Sequence, residues 1–148
     1  MTPTHYRPIL LVEDNPDDVE LTRRAFRRNR LANALVVCED GAEALDYLFG
    51  RGAHAGQGEN NRPALVLLDL KLPRVEGIEV LRAVRSDPRT ATLPVVILTT
   101  SSEDKDIIDS YKLGANSYVR KPVAFNDFIE AVRQLETYWL VLNEAPPS

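Results

Sequence analysis

The feature that most constrains this 148-residue chain is an apolar run that ends in an acid. The segment LVLLDLKLP, from Leu65 to Pro73, places four apolar residues directly before Asp69. An unbroken apolar run of this length is typical of a strand buried on both faces, as in the middle of a parallel sheet. In open α/β sheets, ligands bind at the carboxyl ends of the strands. Asp69 is therefore expected either to begin a turn, as aspartates often do, or to belong to a binding site.

Composition and charge limit the class of protein. A chain with 44% hydrophobic and 27% charged residues is typical of one globular domain. The formal net charge of −4 argues against general nucleic-acid binding, which needs a basic patch. No apolar run reaches the length of a membrane span, and the N-terminal MTPTHYRP lacks the apolar core of a signal peptide. Cys38 is the single cysteine, which excludes an internal disulfide and favours a cytoplasmic protein.

Short apolar runs alternate with amphipathic segments along the chain. Five strands are predicted at residues 9–12, 34–38, 64–69, 94–98 and 116–119. Five helices are predicted at about 16–28, 41–49, 75–85 and 103–113, and from about 126 onward. Residues 50–62 contain four glycines and are predicted to form a mobile loop. This alternation predicts an α/β fold with a parallel sheet covered on both faces and right-handed crossovers.

Polar side chains stand where the predicted strands end. Glu13 and Asp14 follow the first strand, Asp69 ends the third, Thr99 follows the fourth and Lys121 comes after the fifth. The carboxyl ends of parallel strands share one edge, so these side chains should converge. Three carboxylates repel one another unless a cation lies among them, and oxygen ligands of this kind suit Mg²⁺. A magnesium ion beside a carboxylate, with an ammonium and a hydroxyl nearby, could receive a phosphoryl group, which aspartate can accept.

In these motifs the chain resembles the receiver domains of the two-component response regulators. The matching segments are LLVEDN, LVLLDLKLP-x-x-x-G, VVILTTS and YVRKP, in this order. The resemblance covers about Pro8 to Leu140. It implies a single receiver domain over residues 1–148, with its core at about 8–140 and a C-terminal extension at 141–148. It also implies a flavodoxin-like (βα)5 three-layer sandwich with strand order 2-1-3-4-5.

The resemblance implies a role for each acidic residue. Asp69 would accept the phosphoryl group from a phosphohistidine on a sensor histidine kinase. Asp14 would bind Mg²⁺ directly and Glu13 largely through water. Asp69 and the backbone carbonyl of Lys71 would complete the protein ligands of the metal.

The resemblance also implies a conformational switch. Lys121 would contact the phosphate, and its peptide bond to Pro122 would be cis. The hydroxyl of Thr99 would move toward the phosphoryl group while the ring of Tyr118 turns inward. Since the new anionic oxygens need donors, phosphorylation would bias a two-state equilibrium on the face formed by helix four, strand five and helix five.

Lys71 stands two residues after the expected acceptor, a position that the resemblance links to the hydrolysis rate of the aspartyl phosphate. Two alternatives are open: a solvated lysine, or an ammonium that shields the phosphoryl group and prolongs its lifetime. The second predicts that Lys71→Asn changes the dephosphorylation rate.

Two further segments suggest partners. Residues 50–62 and the tail TYWLVLNEAPPS resemble single-domain regulators that partner bacterial phytochrome photoreceptor kinases. The last predicted helix has an apolar stripe, and Tyr138, Leu140 and Val141 lie off that stripe. A helix that is apolar on several sides near its end usually meets a partner. We expect a homodimer through this helix and its extension, or else a tail that folds back on its own domain.

The first predicted helix is basic, and its arginines are Arg23, Arg24, Arg27, Arg28 and Arg30. They form either a solvated face or a docking surface for an acidic helix of the kinase. Charge reversal at Arg23 and Arg27 would then slow phosphotransfer at low salt.

Two other functions are open on the sequence. A magnesium-dependent phosphohydrolase of the haloacid dehalogenase type needs a second aspartate two residues after the first, where this chain has Lys71. A flavin-binding module needs a hydroxyl- and glycine-rich phosphate loop after the first strand, where residues 13–18 are mostly acidic. Because the sequence ends soon after the last predicted helix, we expect no output domain. We therefore expect a signalling switch, not a turnover enzyme, whose output is partner binding or onward transfer of phosphate.

Overall fold

Five parallel strands form one sheet in this structure, which is a computed structural model. It describes residues 7–30, 33–54, 62–100 and 103–121, together with residues 126, 127, 130, 133 and 134. The strands are β1 (Ile9–Val12), β2 (Leu35–Cys38), β3 (Leu65–Leu68), β4 (Val95–Thr99) and β5 (Ser117–Arg120). Their order in the sheet is β2-β1-β3-β4-β5, which confirms the flavodoxin-like topology.

Helices connect the strands in the described part of the chain. They are α1 (Pro16–Arg28), α2 (Gly41–Phe49), α3 (Gly77–Ser86) and α4 (Asp104–Lys112), with a short 3₁₀ turn at Gly52–His54. The observed bounds of these strands and helices lie within two residues of the predicted ones. Most of the predicted fifth helix, the Lys121–Pro122 peptide bond and residues 55–61 and 135–148 lie outside the described residues.

The centre of the sheet is apolar on both faces. Every residue of β1 and β3 is buried, as an unbroken apolar run predicts. On one face the sheet packs against α2 and α3, with Leu10, Val66, Leu68, Val80 and Leu81 in the shared core. On the other face Leu11 and Leu67 pack with Ala25 and Phe26 of α1. Helices therefore cover both faces of the sheet.

The start of α1 is fixed by its sequence. The side chain of Asn15 accepts hydrogen bonds from the backbone N–H groups of Asp17 (2.9 Å) and Asp18 (3.4 Å), which caps the helix. Pro16 occupies the first turn, where its missing N–H costs nothing. Asp17 and Asp18 stand near the positive end of the helix dipole. The helix consequently begins three residues after Glu13, beside the edge where β1 ends.

The edge formed by α4 and β5 is packed more loosely than the centre. Ser110 is the one buried residue of α4, and its hydroxyl has no hydrogen-bond partner among the described residues. Ile108 and Tyr111 of the same helix are each 51% exposed. The residues of β5 are half-buried or exposed. Gly114 follows α4 with φ +92°, a left-handed conformation that favours glycine at the end of a helix.

Within the described residues, none of the helices has the length and apolar character that crossing a membrane would require.

Candidate functional site

Acidic side chains meet at the carboxyl ends of β1 and β3. The two strands pair in parallel with Val12 opposite Leu68, and the backbone N–H of Asp69 donates to the Val12 carbonyl at 3.1 Å. This register sets Glu13 beside Asp69. Carboxylate oxygens of Glu13, Asp14 and Asp69 lie within 4.8 Å of one another. Glu13 and Asp69 are buried and Asp14 is exposed. The parallel topology therefore brings the three acids together.

The ammonium of Lys121 lies among these carboxylates. Its Nζ is 2.5 Å from Glu13 Oε1, 2.8 Å from Asp18 Oδ2 and 3.2 Å from Asp69 Oδ2. The side chain is only 8% exposed. Its backbone N–H donates to the carbonyl of Thr99 at 2.7 Å, which fixes the end of β5 against the end of β4. Because an ammonium has three donors, each of the three carboxylates can accept one.

Asp18 is a site residue that the sequence reasoning missed. Its carboxylate lies near the positive end of the α1 dipole and also accepts a hydrogen bond from Lys121. A signal was present in the sequence. Pro16 starts a helix directly after Glu13 and Asp14, so an acid in the first turn of that helix stays close to the strand edge. The sequence pattern does not show which of Asp17 and Asp18 faces Lys121.

Burial and charge act against each other at Glu13 and Lys121. Desolvation raises the pKa of Glu13 to about 7, although the hydrogen bond and charge of Lys121 lower it. Burial alone would lower the pKa of Lys121, but hydrogen bonds to Asp18 and Glu13 and the charge of Asp69 outweigh burial and raise it. Lys121 therefore remains protonated. A cation close to Glu13 would stabilise its ionised form.

The loop after β3 holds the Asp69 carboxylate from the other side. The backbone N–H of Lys71 donates to Asp69 Oδ1 at 3.1 Å. The N–H of Gly77 donates to the carbonyl of Leu70 at 2.9 Å, and a Cβ at Gly77 would collide with the carbonyl oxygen of Asp69. The glycine of the LVLLDLKLP-x-x-x-G motif is required because α3 begins in contact with this loop.

The Lys71 ammonium lies near α4. Its Nζ is 3.7 Å from Asp106 Oδ2, and the Lys71 side chain is 59% exposed. The Lys71 ammonium is therefore exposed to solvent and also paired with Asp106. The sequence alone did not suggest this pair. The effect of Lys71 on an aspartyl phosphate and the role of its backbone carbonyl stay predictions.

Thr99 and Tyr118 lie on neighbouring strands. Thr99 is fully buried at the end of β4, on the same edge as Lys121. Tyr118 stands opposite Ile97 on β5, and its half-buried ring packs against the core shared by α2 and α3. The switch role of this pair stays a prediction.

The donor set fits a hard divalent cation. Carboxylate oxygens are the ligands that Mg²⁺ and similar ions prefer, and the exposed position of Asp14 leaves room for water ligands. Among the described residues, the carboxylates of Glu13, Asp14, Asp18 and Asp69 meet one ammonium, that of Lys121, at this edge. The excess of negative charge favours binding of a further cation.

Comparison with known proteins identifies the family. Residues 9–133 match the model of the response regulator receiver domain. The chain belongs to this family. As a receiver domain it is a signalling protein whose relatives are response regulators and not turnover enzymes, as predicted. The haloacid dehalogenase alternative finds no support.

Several relatives match this receiver domain over most of their length. The probable methanogenesis regulatory protein FilR2 of Methanothrix harundinacea is 43% identical over 93% of this chain and 86% of its own. The response regulator Rcp1 of Synechocystis is 38% identical over 89% of this chain and 88% of its own. A crystal structure of Rcp1 in the Mn²⁺-bound form has a TM-score of 0.83, with 36% identity over 95% of this chain and 99% of that one.

Two solved structures are named as phytochrome response regulators. The phosphorylated cyanobacterial phytochrome response regulator RcpA has a TM-score of 0.86 and 37% identity, and covers 96% of this chain and 99% of its own. The bacteriophytochrome response regulator AtBRR is 51% identical, with a TM-score of 0.75 and coverage of 93% and 98%. The predicted likeness to receivers associated with phytochromes is thus confirmed.

Proposed function

We propose that this receiver forms a single domain over residues 1–148 and takes a phosphoryl group from a sensor histidine kinase onto Asp69. The proposal rests on the contacts that surround the Asp69 carboxylate. One oxygen accepts the N–H of Lys71 and the other contacts the Lys121 ammonium, while Glu13 and Asp14 offer further oxygens beside it. A rigid strand end holds the acid in this position.

Each residue of the site has a separate role in phosphoryl transfer. A carboxylate oxygen of Asp69 forms the new bond to phosphorus as the bond from phosphorus to the kinase imidazole nitrogen breaks. Lys121 offers positive charge to the phosphoryl oxygens, and Thr99 offers a hydroxyl at the same edge. Glu13, Asp14, Asp69 and the carbonyl of Lys71 would hold Mg²⁺. When bound, Mg²⁺ would neutralise the oxygens of the transferring group. Support for a divalent ion comes from the Mn²⁺-bound form of Rcp1.

The switch follows from the same contacts. Once Asp69 carries a phosphoryl group, the phosphoryl oxygens are new acceptors for Lys121 and Thr99. Thr99 is the last residue of β4 and Lys121 follows β5, in the half of the sheet next to α4. Their movement would be transmitted to Tyr118, and from there to the face of α4 and β5. The likeness to phosphorylated RcpA supports this proposal.

Phosphotransfer from autophosphorylated histidine kinases tests the proposal. We expect wild-type protein to gain label in the presence of Mg²⁺ and Asp69→Asn to gain none. Asp87→Asn is a suitable control, because Asp87 is an acid at the far end of α3 that pairs with Arg89. Equal labelling of the wild-type protein and Asp69→Asn would reject Asp69 as the acceptor.

A phytochrome-type photoreceptor kinase is the proposed donor, on the basis of RcpA and AtBRR. The exposed arginines of α1 are its proposed docking surface, since the helix begins at the acceptor edge. Arg27 is paired with Glu20 at 3.2 Å, and both side chains are more than half exposed, so solvent screens this pair. Reversal of Arg23 and Arg27 should slow transfer at low salt but leave phosphorylation by acetyl phosphate unchanged. An equal loss with both donors would exclude docking.

A cytoplasmic homodimer through the last helix and the C-terminal extension is also proposed, on the sequence pattern alone. A chain that ends near residue 136 should sediment as a monomer when the full chain sediments as a dimer. Identical sedimentation of the two would exclude this interface.

A further inference from the structure

Of the three described carboxylates that contact Lys121, only that of Asp18 lies outside the candidate metal cluster. The ammonium bonds to Glu13, Asp18 and Asp69, and the cluster contains Glu13, Asp14 and Asp69. Glu13 and Asp69 are thus shared between Lys121 and any divalent ion. The 2.8 Å bond from Lys121 Nζ to Asp18 Oδ2 is not shared.

Phosphorylation of Asp69 and binding of a divalent ion would each change one of the other two contacts of Lys121. An acyl phosphate on Asp69 no longer has a carboxylate charge, because one oxygen is bonded to phosphorus. A divalent ion beside Glu13 would compete with the ammonium for the same oxygens. The contact with Asp18 is independent of both events, so it can hold the ammonium at this edge throughout the reaction.

The helix that carries Asp18 shares its core with buried residues of β1 and β3. Ala25 and Phe26 bury α1 against the sheet. The backbone at Asp18 is fixed by its N–H to the side chain of Asn15 and by its carbonyl, which accepts the hydroxyl of Thr22 at 2.8 Å. The Asp18 carboxylate is therefore a fixed acceptor for a side chain that comes from the loosely packed edge.

We propose that Asp18 is a positioning residue that keeps the Lys121 ammonium beside Asp69, where it contacts the incoming phosphoryl oxygens. This inference rests on the proposed function of Asp69 as the acceptor. Asp18 itself does not touch the reacting atoms.

Asp18→Ala and Asp17→Ala form a matched pair of variants. Each removes one acid from the first turn of α1, so both lose similar interactions with the helix dipole and with distant charges. Only the first removes the contact with Lys121. The probe is acetyl phosphate at saturating Mg²⁺, and the measurement is the rate of phosphorylation of Asp69. We expect Asp18→Ala to slow this rate about tenfold and Asp17→Ala to change it less than about twofold.

Asp18→Asn separates position from charge. Its amide oxygen can accept the same hydrogen bond, so it should recover part of the lost rate. No recovery, with Asp18→Asn as slow as Asp18→Ala, would overturn a positioning role in favour of charge alone.

Thermal unfolding without metal and without donor gives a second readout. Asp18→Ala should lower the Tm more than Asp17→Ala. In a Lys121→Met background the contact is already lost, so this excess decrease in Tm should vanish. An excess that persists with Lys121→Met would overturn the inference, as would equal phosphorylation rates for the two alanine variants. If wild-type protein takes no phosphoryl group on Asp69, the proposed function fails instead, while the thermal cycle still decides whether Asp18 holds Lys121.

Discussion

The centre of the sheet and the edge formed by α4 and β5 are built in contrasting ways. All residues of β1 and β3 are buried, whereas those of β5 are half-buried or exposed and α4 buries only Ser110. Regions with few buried apolar contacts open at a lower free energy than the core. The proposed acceptor thus lies on the rigid part of the molecule, and the part that can rearrange lies beside it.

Lys121 joins the two regions. It follows β5, yet its ammonium bonds to Glu13 and Asp69, which follow β1 and β3. A change of charge at Asp69 therefore acts directly on a side chain that belongs to the looser region. The difference in packing explains how a local chemical change could move one face of the domain without disturbing the site.

The largest effect is expected when the same substitution, valine to alanine, is made in each of the two regions. Val66→Ala in β3 removes two buried methyl groups and should lower the free energy of unfolding by about 2–3 kcal/mol. Val119→Ala in β5 affects a half-buried side chain and should cost about 1 kcal/mol or less. Urea unfolding measures both. Equal losses would mean that the two regions are packed equally well.

A smaller effect is expected where α3 holds the looser edge. The Arg85 guanidinium donates to the carbonyls of Leu93 and Gly114, each at 2.7 Å, and to the side chain of Asn116 at 3.2 Å. Lysine cannot reproduce this fork. Arg85→Lys should therefore cost about 1.5 kcal/mol, the lower end of the range for hydrogen bonds to a charged group, because lysine keeps the charge. Amide hydrogen exchange should quicken around residues 113–117 and stay unchanged in β1.

Arg82→Lys is the control for Arg85→Lys. Arg82 lies on the same helix, and within the described part of the chain its side chain makes only an exposed pair with Glu79 at 3.3 Å, so its replacement should change stability by less than about 0.5 kcal/mol. A comparable loss for the two lysine variants would show that the Arg85 contacts do not stabilise this edge.

The smallest effect concerns the unpartnered hydroxyl of Ser110. Ser110→Ala should raise the free energy of unfolding by about 1 kcal/mol, because burial of this hydroxyl has no compensating hydrogen bond. Thr90→Val also removes a buried hydroxyl, but that of Thr90 donates to the Val84 carbonyl at 2.7 Å, so this variant should lose about 1 kcal/mol. Changes of the same sign in the two variants would contradict this account.

The sequence predicted those parts of the molecule that depend on local pattern. The apolar runs determine β1 and β3, and the parallel order then sets Glu13 and Asp69 side by side. The start of α3 was placed two residues early, because the contact of Gly77 with the Asp69 carbonyl depends on the folded loop.

Contacts between distant segments could not be predicted in this way. The partner of Lys71 is Asp106, and this depends on where α4 lies over the sheet. The bond from Lys121 to Asp18 depends on the rotation of α1 about its axis, which a run of neighbouring acids does not reveal. The Arg85 contacts join the connection from α3 to β4 and the connection from α4 to β5, whose approach follows only from the packing of α3.

Amide hydrogen exchange with and without acetyl phosphate and Mg²⁺ tests the central claim most directly. We predict that phosphorylation of Asp69 changes exchange across residues 104–120 and leaves residues 9–12 and 65–68 unchanged. Asp69→Asn should show no response to the donor. A response of the same size in Asp69→Asn, or a phosphorylated wild-type protein whose α4 and β5 exchange as before, would contradict the account.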